Sequence, residues 1–174
     1  MSIHELKNEL IADILNIKDK DLLLSLQHQI KKKTAPKRLV QTNLSEILKY
    51  DVKDTNPEKV SLGKHQCEVK SWKDLYTTVI IWVLDDRNIA ELKAPIHDHY
   101  GRTKYAVSNS PTHAEGKHFT SQVQHGKLYI EGHGNTEHHL KTLVSIFQLF
   151  GIASDDLSIS FWMNESDYVV SVTI

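Results

Sequence analysis

The sequence predicts an α+β fold, with an N-terminal helical hairpin followed by a small mixed or antiparallel sheet packed against two amphipathic helices. Three stretches carry that expectation. Residues 119–131 hold two strand-like runs around a turn signal at His125-Gly126. Residues 136–150 present one apolar helical face, and 157–161 alternate apolar and polar residues with strand period.

Taken in order, Ser2 and Glu5 fit a capping box, in which hydroxyl and carboxylate each close a free backbone donor. Ile3, Leu6, Leu10, Ile14 and Ile17 then mark one helical face. Asp19 or Asp21 can cap a second helix bearing Leu22, Leu23, Leu26 and Ile30. It ends in Lys31-Lys32-Lys33, cations suited to a helix C-terminus, before Pro36 breaks the pattern. Leu44, Ile47 and Leu48 suggest a short helix capped by Thr42 or Asn43, and 54–57 have turn chemistry. The organisation expected is a helical segment over 1–40, a linker with a short helix over 41–63, and an α+β domain over 64–174.

That domain opens with a strand near 64–69. Ser71 then caps a helix whose buried side carries Trp72, Leu75, Tyr76, Val79, Ile80 and Val83. Asp85-Asp86 end that helix and Asn88 helps the turn. A strand over 102–107 precedes the loop punctuated by Pro111 and Gly116. The chain is expected to close on a hairpin, 157–162 and 168–174 around the turn 164–167.

Composition excludes several classes. With 174 residues, 40% hydrophobic and 25% charged, the chain can bury a sizeable core. A formal net charge of −1 argues against a strongly basic nucleic-acid sponge but not against a local basic patch. One cysteine rules out an internal disulfide. No signal peptide and no membrane-spanning run are visible, so the expected location is cytoplasmic.

Eleven histidines are the compositional oddity. His97 and His99, two apart on an extended segment, face one way and suit zinc or another transition metal. His113 and His118, with Glu115, are the candidates to complete the ligand set. The ordinary alternative is a polar loop whose imidazoles serve turns and hydrogen bonds, with no cofactor. His133, His138 and His139 surround the start of the 136–150 helix, where donors and positive potential suit a phosphate. There the ordinary reading is that Gly132 and Gly134 make the turn and Asn135 or Thr136 caps the helix. His65 and Cys67 share one face of a strand, but a buried structural cysteine explains them without a thiol nucleophile. No catalytic set is visible.

Cations give the remaining signal. Arg102, Lys104, Lys117 and Lys127 fall on or beside expected strands, near the aromatic rings of Tyr100, Tyr105 and Tyr129. Cations with interleaved aromatics can hold a nucleic-acid backbone and stack bases. The expected nucleic-acid contacts are therefore Arg102, Lys104, Lys117, Lys127, Tyr105 and Tyr129.

The run 69–76, then Lys104 to Val107, then 126–131, and the closing 149–157 together resemble a poorly characterised bacterial accessory module. That module occurs with restriction-type, phage-defence or mobile-element proteins. The resemblance spans about 60–162 and rests on core and turn positions, so no catalytic residue carries over from it. It implies an accessory domain that helps a nuclease or ATPase find nucleic acid or a partner. Together with the placement of the cations, the expectation is a non-catalytic accessory protein that binds nucleic acid, DNA favoured over RNA, in a defence or DNA-handling system. Two alternatives stand beside it. One is a protein-interaction subunit that meets a partner protein or a second copy through residues 3–30. The other is a metal-dependent hydrolase built on His97 and His99.

Overall fold

The computed structural model describes residues 1–34, 36–86 and 94–164. The strand β8 (Leu157–Asn164) organises its first sheet. Its alternation buries Leu157, Ile159, Phe161 and Met163 on one face and leaves Trp162 half-exposed on the other. β8 pairs antiparallel with β1 (Lys37–Asn43) on one side and β2 (Asn56–Leu62) on the other, and β3 (His65–Glu68) completes the order β1-β8-β2-β3. A second antiparallel sheet has the order β4-β5-β7-β6. Its strands are β4 (Ile96–His97), β5 (Tyr105–Ser108), β6 (Gln122–His125) and β7 (Leu128–Glu131). The fold is α+β, as expected, with two four-stranded antiparallel sheets.

The N-terminal helices form as expected, α1 (Ile3–Asn16) closed by the Ser2/Glu5 capping box and α2 (Lys20–Thr34) opened by Asp19. Among the described residues neither packs substantially on the sheets. α1 has no buried residue, and Ile3, Leu10 and Leu15 are 75%, 59% and 79% exposed. The short helix expected after β1 is α3 (Leu44–Ile47), capped by Asn43, whose Oδ1 accepts the Glu46 amide at 2.9 Å. Among the described residues no helix is long and apolar enough to cross a membrane.

The helices α4 (Trp72–Asp86) and α5 (Thr136–Phe150) pack on each other, and α4 also packs on β2. Each starts at a local cap. Ser71 Oγ accepts the Asp74 amide at 3.1 Å, and Asn135 Oδ1 accepts the His138 amide at 2.8 Å. Gly151, at φ 64°, turns left-handed and ends α5, a conformation that a side chain disfavours. Leu75, Val79, Ile80, Leu143, Ile146 and Phe147 are all but fully buried. Phe161 reaches this core from β8 and meets the rings of Tyr50 and Trp72 at 5.9 and 5.7 Å.

Several expectations change here. β1 straddles the boundary between the expected helical segment and the linker, and β2 lies within the linker; the two flank β8. β1 is an edge strand whose only fully buried side chain is Val40, so it shows no alternation. β2 begins at a proline turn and shifts register between Pro57 and Lys59, which breaks its period. The strand expected from residue 102 begins at Tyr105. Residues 168–174, read as a closing strand, lie outside the described residues, as does Asn88.

Candidate functional site

Two turns and the start of α5 build a cleft at one end of the second sheet. Asp98 makes the first turn: its Oδ1 accepts the Tyr100 amide at 2.9 Å, and its carbonyl accepts the Gly101 amide at 3.1 Å. The Asp98 amide then bonds the Lys104 carbonyl and closes the loop. Gly101 has φ 77°, which explains a glycine there. A second turn spans His113 to Gly116. It is tied to the first by the Ala114 amide on the Thr103 carbonyl and by the Tyr105 amide on His113 Nδ1, at 3.0 Å.

The third wall follows β7. Glu131, buried at its end, accepts the Thr120, Ser121 and His133 amides at 2.7, 2.9 and 2.9 Å. Those bonds fold the chain ahead of β6 against the turn that leads into α5. The enclosed cleft has a volume of about 320 Å³. Its floor includes Tyr76, Asp98, Glu131, His113 and His138, while Lys104, Lys117, Tyr100 and Tyr105 stand around it, with the first three of these exposed.

Electrostatics separate floor from rim. Glu131 accepts backbone amides on both carboxylate oxygens, whereas Asp98 accepts two on Oδ1 and holds Oδ2 3.9 Å from His138 Nε2. Burial pulls the His138 imidazole below its ordinary value, helped by His99 and opposed by Asp98, whose carboxylate is 3.9 Å away. His99 is lowered likewise, first by burial. The Tyr76 phenol is pushed well above its usual range by burial and then by Asp98 and Glu131, so it remains a protonated donor. Near neutral pH the floor thus holds the neutral His138 imidazole and the Tyr76 phenol. The Lys104 ammonium lies 5.7 Å from the Tyr100 ring centre, within cation–π range.

Of the six residues expected to contact nucleic acid, Lys104, Lys117 and Tyr105 come together at this cleft. Arg102 is exposed on the neighbouring turn without lining it. Lys127 sits exposed in the β6–β7 hairpin turn, and Tyr129 is a half-buried residue of β7 paired with Ser108 and Gln124. Residues that the sequence did not bring to the site are Asp98, Glu131, Tyr76 and His138, which meet only through long-range folding.

The four histidines weighed as metal ligands are dispersed in role. His113 has both ring nitrogens engaged, Nδ1 with the Tyr105 amide and Nε2 at 3.5 Å from Glu131. His99 Nδ1 lies 3.1 Å from Thr142 Oγ1, His97 is exposed with its ring against Tyr105, and His118 is exposed in the loop beside Thr112. Among the described residues, no three His, Cys, Asp or Glu side chains are placed to hold a metal ion together. His65 bonds Asp86 at 2.9 Å and stacks on Trp82 in place of activating Cys67, whose thiol is raised by burial and then by Asp74. Compared with known proteins, the chain matches no family model, no curated protein and no solved structure.

Proposed function

We propose that the protein is a non-catalytic nucleic-acid-binding protein that takes a single-stranded segment at the cleft. The supporting observation is the convergence of Lys104, Lys117, Tyr100 and Tyr105 on one cavity, in which the Glu131 carboxylate is held by backbone amides. The lysines meet phosphates, and the tyrosine rings offer faces on which a base stacks. A cavity of about 320 Å³ suits one unstacked nucleotide better than the smooth side of a duplex. DNA is the first polymer to test. Placement in a defence or DNA-handling system rests on the resemblance over residues 60–162 alone.

Binding of labelled single-stranded DNA and RNA across a salt series checks this. Changing Lys104 and Lys117 together to Glu is expected to weaken binding by about tenfold or more and to flatten the salt slope by about 1 for each phosphate no longer neutralised. Lys127→Glu, away from the cleft, is expected to change little. Equal losses from Lys127→Glu and the double variant, or no binding at low salt, overturn the assignment.

A second reading is favoured by the uncovered leucine faces of α1 and α2: residues 1–34 carry a self-association module. Isolated helices of this length are marginal in water, so these two need a partner surface. Residues 3–16 carry Glu5, Glu9 and Asp13 against Lys7, whereas 20–34 carry Lys20, Lys31, Lys32 and Lys33 against Asp21. A surface built from one acidic and one basic helix complements itself under a two-fold rotation, which commits the partner to a second copy of this chain. Light scattering should then give a dimer for the full chain and a monomer after removal of residues 1–36, a cut that spares β1. A monomeric full chain, or an unchanged dimer after truncation, contradicts it.

A further inference from the structure

The two carboxylates on the floor of the cleft are used differently. Glu131 has both oxygens on backbone amides, whereas Asp98 uses only Oδ1, which accepts the Tyr100 and Gly101 amides at 2.9 and 3.3 Å. Its Oδ2 lies 3.9 Å from His138 Nε2, beyond hydrogen-bond reach. The Asp98 side chain is only 4% exposed, so this oxygen is deep in the protein and without a donor. Tyr76 is 1% exposed, and among the described residues its phenol makes no hydrogen bond. Neither oxygen is sealed in. Among the described residues, only His139 has fully enclosed side-chain atoms that lack a well-formed hydrogen bond. The free oxygens of Asp98 and Tyr76 therefore open into the cleft that both residues line.

A nearly buried carboxylate oxygen with no donor is costly, and one that faces a cavity is matched by a donor on whatever fills it. His138 does not supply that donor as a cation, because burial first of all keeps it neutral at pH 7. The ionised carboxylate can only accept. The Tyr76 hydroxyl, kept protonated by burial and by Asp98 and Glu131, donates. The Asp98 charge acts on that phenol, so acceptor and donor stand as neighbours on one floor. The Watson–Crick edge of cytosine or adenine carries the complement, an exocyclic amine beside a ring nitrogen that accepts. Uracil and thymine carry a carbonyl and an N–H there, which sets an oxygen against the Asp98 oxygen.

We infer that Asp98 and Tyr76 select the base that enters the cleft, admitting cytosine or adenine and rejecting uracil or thymine. Asp98 Oδ2 accepts from the exocyclic amine, and the Tyr76 hydroxyl donates to the ring nitrogen beside it. The inference rests on the nucleic-acid reading of the cleft and adds a preference that its rim cannot supply. Lysines meet a phosphate common to every nucleotide, and every base has a face on which a tyrosine stacks. Glu131 takes no part, because its oxygens are already bonded.

The test titrates the full chain into labelled hexadeoxycytidylate and hexadeoxyuridylate at one low salt concentration, near neutral pH. The two hexamers share backbone, charge and ring size and differ at the base edge, so phosphate contacts cancel between them. The cytidylate is expected to bind about tenfold tighter. Asp98→Asn keeps an oxygen for the Tyr100 and Gly101 amides and places an amide NH2 where Oδ2 stood. That variant should reverse the preference in favour of the uridylate. Tyr76→Phe, which retains the buried ring, should weaken cytidylate binding by about fivefold. Equal affinities of the parent for the two hexamers overturn the selection and leave the nucleic-acid reading standing. A parent-like preference in Asp98→Asn overturns it in the same way. No binding of either hexamer overturns both.

Discussion

Glu131→Ala is expected to lower the unfolding free energy by about 3–5 kcal/mol, a large share of the stability of a domain this size. The carboxylate is 8% exposed and accepts three backbone amides, from Thr120, Ser121 and His133. Each bond to a charged acceptor is worth about 1.5–3 kcal/mol net, and truncation leaves all three donors without a partner. Water entering the new space recovers part of that loss, which keeps the total below the simple sum. His113 also loses the neighbour of its Nε2, so the second turn of the cleft loosens with it. Glu131→Gln retains one acceptor oxygen and should cost about half as much. Urea unfolding followed by circular dichroism gives the comparison. An Ala variant within about 0.5 kcal/mol of the parent, the range of ordinary surface changes, means that these bonds do not hold the cleft together.

What makes the helices legible is that their determinants are local. Asn135 and Gly151 bracket α5, Ser71 opens α4, and Ser2 with Glu5 opens α1, each acting within four residues of its own position. β8 declares itself because one face is wholly buried. β1 and β2 do not, since an edge strand with one fully buried side chain and a strand with a register shift both lack the alternation that marks burial. The cleft divides in the same way. Lys104, Lys117 and Tyr105 stand out as cations and rings near strands. Glu131 reads as nothing more than a polar strand end, because the amides it binds arrive from a loop that the sequence does not show folding back. Asp98 and His138 each sit beside other histidines in the chain, yet their approach depends on how the first turn meets α5. His139 gives no signal of burial, being one of several polar residues at the start of an amphipathic helix.

That buried imidazole has a measurable consequence, in acid. Burial holds His139 down from 6.5 to about 4, aided by His138, Lys73 and His133, while the Gly132 backbone opposes the shift only in part. The unfolded chain takes up a proton at this residue as pH falls through 6.5, whereas the folded chain does so only near 4. Above 6.5 both states are neutral and the group imposes no penalty. Between 6.5 and 4 the unfolded state binds more protons, so stability falls by up to about 1.4 kcal/mol for each pH unit. The loss attributable to His139 should reach about 2–3 kcal/mol by pH 4. His138 and His99 are lowered in the same direction and steepen the slope. Asp86 and Glu137 act in a different window: both are held below their ordinary values of 3.8 and 4.5, by hydrogen bonds to Lys64 and Lys141 first, so their contribution is lost at more acid pH. His139→Phe keeps a ring against Tyr76 and removes the titrating group, together with two nitrogens that make no well-formed hydrogen bond. The variant should therefore be more stable than the parent by about 1 kcal/mol at neutral pH and by a widening margin down to pH 4. Urea midpoints for the two proteins at pH 7, 6 and 5 measure that margin. A constant difference across the three would show that His139 protonates in the folded chain as readily as in water, and that its environment is wetter than its burial indicates.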